Sequence, residues 1–375
     1  MPLAVPISNG MKIECIKNKL EEIISKSEKI TGKNLTLPIL KCVLLIAKNN
    51  TLTIRATNLD LGVEMTIPVK IKKEGVIAVP AGILYSFLGN LYDEKSVILE
   101  AKENKLFVST NHTNTQIKTY PYEEFPTIPV VSDRKSITIN SNDLILGLKS
   151  VWYSASPSSM KPELSSVYVY YDNGKIVFVA TDSFRLAEKK VQTKKIDEFE
   201  PILIPHKNIS EIIRIFEPLN ADIKINFSDN QISFSSNGIY LTSRIIDGTF
   251  PDYNQIIPKE HTSNAVVLKQ DVVNALKVSN IFSDKFNQIT LEVDSKNKAF
   301  QINTKNPDVG ENTSKVDAAI TGKSIEMNFN HKYVIDCLQS INTDSLSFEL
   351  SQDKPMVIKG VGDKTFLYLV MPMNK

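Results

Sequence analysis

IAVPAGILYSFLGNL, residues 77–91, reads as a short β-rich run that enters a helix through a proline, and the phrase returns twice. ILIPHKNISEIIRIF covers 202–216 and MNFNHKYVIDCLQSI covers 327–341, so Pro80, Pro205 and Asn330 are each 125 residues apart. A chain of 375 residues that says one thing three times at this period is a tandem of three similar units. In the second copy Ile209, Ile212, Ile213 and Phe216 fall at i, i+3, i+4 and i+7. That stripe predicts a helix over 205–217 with one face on a core.

Other landmarks keep the same order and spacing. Amphipathic helices are predicted over 17–30, 141–152 and 269–281, carried by Leu20, Ile23 and Ile24, then Leu144, Ile145, Leu148 and Trp152, then Val272, Val273 and Leu276. Hairpin signals follow at AKNNTLTI (47–54), YDNGKIVF (171–178) and DSKNKAFQI (294–302), where Asn and Gly supply the positive φ of tight turns. Thr57, Thr181 and Thr304 end the next strands. Second turns fall at Glu103-Asn104-Lys105, Ser228-Asp229-Asn230 and Gln352-Asp353-Lys354. EEFPTIP (123–129) and GTFPDYNQIIP (248–258) close the first two units, with Phe125 and Phe250 again 125 apart. Each unit therefore holds two helices and about eight short antiparallel strands, an α+β architecture. Proline-containing joints at 121–136 and 248–264 set domains at 11–130, 137–253 and 262–375. Each unit is large enough for its own core, unlike a solenoid repeat, and one rotation repeated by similar linkers gives an open spiral or a closed ring.

Composition is that of ordinary globular material, 42% apolar and 23% charged, with a net charge of +2 that announces no strongly basic nucleic-acid module. No apolar run reaches the roughly 18 residues of a membrane span, and MPLAVPISNGMK lacks the order of a signal peptide. The expectation is a cytoplasmic protein. Cys15, Cys42 and Cys337 are odd in number and far apart, which suits buried free thiols in a reducing compartment.

No catalytic constellation emerges. His112, His206, His261 and His331 include no HExxH and no metal-ligand spacing with cysteine, so no metal or cofactor is expected. GKS at 322–324 fails as a phosphate loop, because the first glycine of that motif would fall at Asp317. Asp182, Ser183 and Arg185 in ATDSFR have no histidine beside them for a triad. A hydrolase built on Ser183 or His206 and a β-rich adhesion scaffold are the competing readings.

TLPIL (36–40), RATNLDL (55–61), VATDSFRLA (179–187), DGTFPDYNQIIP (247–258) and LVMPMNK (369–375) resemble the bacterial DNA polymerase III beta subunit family, the sliding clamps. The resemblance runs in order from Met11 to Lys375, with residues 1–10 preceding the usual start. It implies a head-to-tail homodimer forming a six-domain ring around duplex DNA, with helices lining the hole and sheets outside. The implied partners are the DNA polymerase III alpha subunit, the clamp loader, and other polymerases and repair proteins; no membrane and no catalysis are implied.

Three sets of residues carry those roles. Lys17, Lys19, Lys26, Lys149, Lys207, Arg214, Lys269 and Lys277 are the expected DNA-facing cations on helices, with Lys33 and Lys161 in loops. Glu21, Glu22, Asp143 and Glu211 share those helices, and the plain alternative is a set of solvated helix faces. Carried over residue by residue, a client-peptide pocket between the middle and last domains comprises Leu164, Thr181, Ser183, Phe184, Arg185 and Leu186. Pro251, Gln255 and Ile256 join from the linker, and Val370, Met371, Pro372 and Met373 from the tail. Methionine suits a surface that accepts several partners. Ser183-Phe184 stands where Gly-His is common in the family, and Asn374-Lys375 where Arg-Leu is common. TNTQIKT (113–119) alternates like an edge strand, and the resemblance places Ile117, Ile281 and Phe282 at the dimer joint. The alternative for Ile281 and Phe282 is core beneath a helix end.

Overall fold

Left-handed residues stand where the sequence places its hairpins. Asn49 and Asn50 have φ of 52° and 57°, and Asn173 and Gly174 have 46° and 82°. Two successive positive φ values match the twist of paired antiparallel strands, so these turns fix the register of what they join. The computed structural model describes residues 10–32, 37–132, 135–193 and 198–373. Lys33, residues 1–9 and Asn374-Lys375 lie outside the described residues.

The first repeat contains β1 (Lys12–Ile16), α1 (Lys17–Glu28), β2 (Cys42–Lys48), β3 (Thr51–Thr57), β4 (Leu61–Pro68), β5 (Lys70–Lys73), β6 (Gly75–Pro80), α2 (Ala81–Gly89), β7 (Ser96–Lys102), β8 (Lys105–Ser109) and β9 (Asn114–Lys118). The second contains β10 (Ser136–Asn140), α3 (Ser141–Val151), β11 (Ser166–Asp172), β12 (Lys175–Thr181), β13 (Arg185–Gln192), β14 (Ile202–Pro205), α4 (His206–Phe216), β15 (Asp222–Phe227), β16 (Gln231–Ser236) and β17 (Ile239–Arg244). The third contains β18 (Ser263–Leu268), α5 (Lys269–Ser279), β19 (Gln288–Asp294), β20 (Ala299–Asn306), β21 (Gly310–Gly322), β22 (Ile325–Asn330), α6 (His331–Cys337), β23 (Ser345–Leu350), β24 (Met356–Gly360) and β25 (Phe366–Val370). The helices and strands expected from the period are thus present, two helices to a repeat, and the fold is a three-domain α+β arrangement of antiparallel sheets.

The packing units do not follow the repeats. One unit holds the chain up to Asn142 together with Ser210–Ile245, and the other holds Asp143–Ile209 together with Ile246 onward. The first unit contains a five-stranded sheet, β5-β1-β7-β8-β9, and an eight-stranded sheet, β10-β15-β16-β17-β4-β3-β2-β6. The second contains a twelve-stranded sheet, β14-β11-β12-β13-β25-β24-β23-β18-β21-β20-β19-β22.

The reason for this division is a joint used twice. In the first unit β17, the last strand of the second repeat, pairs antiparallel with β4 of the first, from Ile239↔Met65 to Ser243↔Leu61. In the second unit β25, the last strand of the third repeat, pairs antiparallel with β13 of the second, from Arg185↔Val370 to Lys189↔Phe366. β4 and β13 occupy equivalent places in their repeats, each following the threonine that closes the first hairpin. The same strand of one repeat therefore receives the last strand of the next.

Burial follows the predicted stripes. Leu20, Ile24, Leu148, Ile209, Ile212, Phe216, Val272 and Leu276 are all buried. Helix α3 reaches its sheet only because position 147 is glycine: a Cβ there would overlap the ring of Phe178 on β12. Cys15, Cys42 and Cys337 are free and buried. Burial pushes the Cys15 and Cys42 thiols up to about 12, far from a reactive thiolate.

Candidate functional site

The turn before β13 is built by its own side chains. Thr181 Oγ1 donates to the Arg185 carbonyl at 2.7 Å and accepts from the Ser183 N–H at 3.2 Å. Asp182 Oδ1 accepts from the N–H groups of Phe184 and Arg185, both at 3.0 Å. The device recurs before β4, where Thr57 serves the Leu61 carbonyl and the Leu59 N–H, and Asn58 serves Asp60 and Leu61. Both turns force their third residue into the left-handed region, Ser183 at φ 78° and Leu59 at 77°. That is the physical reason a glycine suits position 183.

Beyond the turn, alternation along β13 divides the expected pocket residues between two faces of the sheet. Leu186 pairs with Leu369 and also with Thr181, and it packs with Phe250, Tyr253 and Val357 in one buried cluster. Arg185 pairs with Val370 and points the other way. The tail residue on the Leu186 side is Leu369, and Val370, one position later, is on the other face, because a step of one residue changes the face.

Arg185, also expected in the pocket, is held inside the protein. It is 9% exposed, with Nε on Asp182 Oδ2 at 2.9 Å and one terminal nitrogen on Asp336 Oδ2 at 2.7 Å. The other terminal nitrogen donates to the Tyr153 carbonyl at 2.6 Å, and the guanidinium lies 4.5 Å from the Tyr333 ring centroid. A cation removed from water in this way needs such partners. Its role is to hold the second repeat's turn to α6 of the third. Thr181, Leu186, Leu164 and Val370 are likewise buried.

The exposed members come from three segments. Phe184 is 60% exposed, Ile256 47% and Met371 39%. A main-chain bond joins two of them, the Met371 N–H donating to the Phe184 carbonyl at 2.8 Å, and the Met373 N–H donates to the Asn328 carbonyl at 2.8 Å. Ile256 and Met371 line one open cavity of about 630 Å³, together with Gln255, Ile257, Pro258 and Pro355. That volume lies in the range of sites that take small ligands or a few side chains. Pro251 and Ser183 are exposed, and Pro372 and Met373 half-buried. Pro355 lines this cavity and the sequence reading missed it. The Gln352–Lys354 turn announces a hairpin, but nothing local says that it faces the linker.

The linker is fixed from both ends. Asp252 accepts from the Asn254 N–H at 3.2 Å and from Gln255 Nε2 at 2.8 Å, and these bonds, the Gln255 one foremost, hold its carboxyl below the usual range. Tyr253 is buried and donates to Glu188 Oε2 at 2.5 Å while the Tyr170 hydroxyl lies 2.8 Å from its own. Burial first, and the Glu188 bond second, push the Tyr253 hydroxyl well above the ordinary tyrosine range, so it stays a donor.

Of the expected DNA-facing cations, Lys19, Lys149, Lys161, Lys207 and Lys277 are exposed. Others are engaged within the protein. Lys17 lies 2.6 Å from Glu21 and Lys26 2.6 Å from Glu22; Arg214 bonds Glu211 and, at 2.7 Å, the Lys26 carbonyl; Lys269 donates to the Ile341 carbonyl at 2.6 Å. At the expected dimer joint Ile281 is 66% exposed, and the half-buried Phe282 ring stands 3.7 Å from where a Cβ on Gly310 would lie. Ile117 is 3% exposed, paired with Leu106 inside its own domain. The alternation of β9 is as expected, but its one aliphatic residue faces inward, so Ile117 is not part of an exposed apolar centre.

Comparison with known proteins accounts for almost the whole chain. Models of the DNA polymerase III beta subunit match in order: the N-terminal domain over residues 11–129, the central domain over 138–252 and the C-terminal domain over 254–374. A beta sliding clamp of Synechococcus elongatus is 28% identical, covering 97% of this chain and 99% of its own length. A beta sliding clamp of Staphylococcus epidermidis is 24% identical over 90% of this chain and 93% of its own. Among solved structures, the sliding clamp (DNA polymerase III subunit beta) of Bartonella birtlesii, bound to griselimycin, superposes with a TM-score of 0.91 at 26% identity, over 98% of this chain and all of that one. The DNA polymerase III beta subunit of Thermotoga maritima does so with a TM-score of 0.91 at 24% identity, over 97% and 100%. The chain belongs to the DNA polymerase III beta subunit family.

Proposed function

We propose that two copies of this chain close head to tail into a ring of six domains around duplex DNA and act as a non-catalytic processivity factor. The three domains of each copy are 11–130, 137–253 and 262–375. The observation that carries this reading is the twice-used joint. Each joint inside the chain sets the last strand of one repeat beside the strand after the first hairpin of its neighbour. By the same rule β21 of the third repeat should receive a last strand, and β9 of the first repeat should find a receiving one. Residues 310–317 of β21 pair only with β20, and β9 is the outermost strand of its sheet. Two complementary free edges on one chain are satisfied by a second copy, twice over. Ile281 and Phe282, beside the start of β21, are the apolar flank of that contact.

A ring that slides must attract phosphate without reading bases. Exposed lysines do that, with an attraction that is independent of sequence and weakened by salt. Clients of the ring are the DNA polymerase III alpha subunit, the clamp loader, and other polymerases and repair proteins, acting in the cytoplasm. They insert short apolar peptides into the cavity beside Ile256 and Met371, against Phe184. Support comes from three exposed apolar residues converging from separate segments, and from a relative that holds griselimycin.

Two measurements test the ring. Light scattering should give about twice the 42.0 kDa chain mass. Once loaded, the protein should stay on circular duplex and leave linear duplex by its ends. A monomer, or equal loss from both DNAs, refutes the reading.

A further inference from the structure

The two joints inside the chain share their strands, but their linkers are held differently. Leu186 on β13 pairs with Thr181, and Gly62 on β4 pairs with Thr57, so the two occupy equivalent places. Tyr253 of the second linker packs with Leu186. Ile128 of the first linker stands over Gly62, with a methyl carbon 3.0 Å from where a Cβ would lie. Two residues further along a strand the side chains return to the same face, so Glu188 and Glu64 are equivalent as well.

There the likeness ends. Glu64 accepts from Arg55 Nε on the neighbouring strand at 2.6 Å, and Ile128 has no polar group to offer it. The first linker is tied by Tyr240, whose hydroxyl accepts from the Val131 N–H and donates to the Pro129 carbonyl, both at 2.9 Å. Glu188, in contrast, is 6% exposed and takes the Tyr253 hydroxyl on one oxygen, with Lys190 Nζ 3.2 Å from the other. Tyr253 gives its one proton to Glu188, so the Tyr170 hydroxyl donates to Tyr253 in turn. A buried carboxylate is costly unless it is paired, and the first joint forms without one facing its linker. What sets the second joint apart is where its linker leads. Within one short helical turn, Tyr253–Ile256, it reaches the cavity that Ile256 and Met371 line.

We propose that Glu188 and Tyr253 are positioning residues for client binding, their bond setting this turn on β13 so that Ile256 is held beside Met371. The proposal rests on the reading of that cavity as the client site. Neither residue lines the cavity, so both act through Ile256. An apolar contact fixes a distance, whereas a hydrogen bond also fixes a direction. Asp252 caps the same turn, so the turn moves as a piece with the Tyr253 ring. A wall held in place before the client arrives saves the cost of ordering it on binding.

Fluorescence polarisation with a labelled peptide of the DNA polymerase III alpha subunit tests this, beside urea unfolding and hydrogen exchange. Tyr253→Phe keeps the buried ring and removes only the hydroxyl. It should weaken the peptide about tenfold under conditions where the variant is fully folded. Glu188→Gln keeps an acceptor and should lose less. The double variant should lose no more than Tyr253→Phe alone, because the pair acts as one. Glu64→Gln, at the equivalent place in the first joint, should bind as the unaltered chain does. Exchange over residues 254–258, which include the Ile257 N–H bonded to the Asn254 carbonyl, should quicken in Tyr253→Phe and not in Glu64→Gln. Full affinity in Tyr253→Phe, even with a lowered urea midpoint, overturns the proposal, as do additive losses in the double variant. No binding by the unaltered chain would instead overturn the client-site reading, and exchange over 254–258 would still decide whether the pair holds the turn.

Discussion

Ser183 shows how much a single backbone angle can carry. Its φ of 78° is imposed by Thr181 and Asp182, which hold the flanking amides whatever residue stands between them. Left-handed backbone costs a residue with a Cβ about 1–2 kcal/mol, partly offset by the extra freedom that glycine has when unfolded. Ser183→Gly should therefore raise stability by about 0.5 kcal/mol in urea unfolding, whereas Ser183→Val should lower it by about 1 kcal/mol or more. Arg185→Ala should cost about 3 kcal/mol, because Asp182 and Asp336 would lose a shared buried cation, and Asp336→Asn should cost less. A double-mutant cycle measures the difference; additive losses would show that Arg185 and Asp336 do not act together. Neither feature is legible in the sequence. An arginine in an exposed-looking turn reads as surface, and the partner that buries it lies 151 positions away. His206, stacked on Trp152 with ring centroids 5.3 Å apart, adds a pH term. Burial, and secondarily the charge of Arg185, hold its pKa below the ordinary value of about 6.5. The unfolded chain then binds the proton first as pH falls, so the stability is whole above about pH 6.5 and is lost below it. His206→Gln should remove that part of the slope between pH 7.5 and 5.5, and an unchanged slope would mean that His206 titrates normally.

At the scale of elements, the sequence was informative wherever the signal is local. Helix stripes, Asn-Gly turns and the alternation of TNTQIKT all lie within a dozen residues, and each became the expected helix, turn or edge strand. Strand pairing across repeats left no such trace. β4 meets β17 and β13 meets β25 over separations of more than 170 residues, and a hydrophobic strand says nothing about which edge it joins. One step of register decides which face of the sheet Leu369 and Val370 occupy. The tail carries the sharpest prediction at this scale. Removing residues 371–375 takes away Met371 from the cavity wall and leaves the β13–β25 pairing whole. The shortened protein should remain a folded dimer. Polymerase-derived and loader-derived peptides, expected to bind the intact protein at about micromolar affinity or −8 kcal/mol, should both be lost. Fluorescence polarisation with the two labelled peptides decides it, and loss of only one would require separate sites.

For the whole molecule, the expected assembly turns on two edges and a few charges. Ile281→Asp with Phe282→Asp places carboxylates at the flank of β21 and should yield folded monomers by light scattering, since neither residue is fully buried in the single chain. Ile117→Asp should instead unfold the first domain, as its side chain is core. Lys19→Glu with Lys277→Glu changes two exposed cations and should flatten the salt dependence of DNA association while leaving peptide binding intact. Unaltered salt dependence would remove both residues from the DNA-facing surface. The acidic neighbours explain why composition was silent on this point: Glu21, Glu22 and Glu211 cancel Lys17, Lys26 and Arg214 pair by pair.

The twice-used joint also bears on ancestry. Its five residue pairs join one repeat to the next by backbone alone, with the same strands in the same sense each time. Such a seam carries no record of how many modules precede or follow it. A gene that gained a module by tandem duplication would fold its new seam as readily as the old ones, and one that lost a module would still present matching ends. The count of three is therefore not written into the seams. In the proposed ring, selection on the size of the opening is what would hold it there.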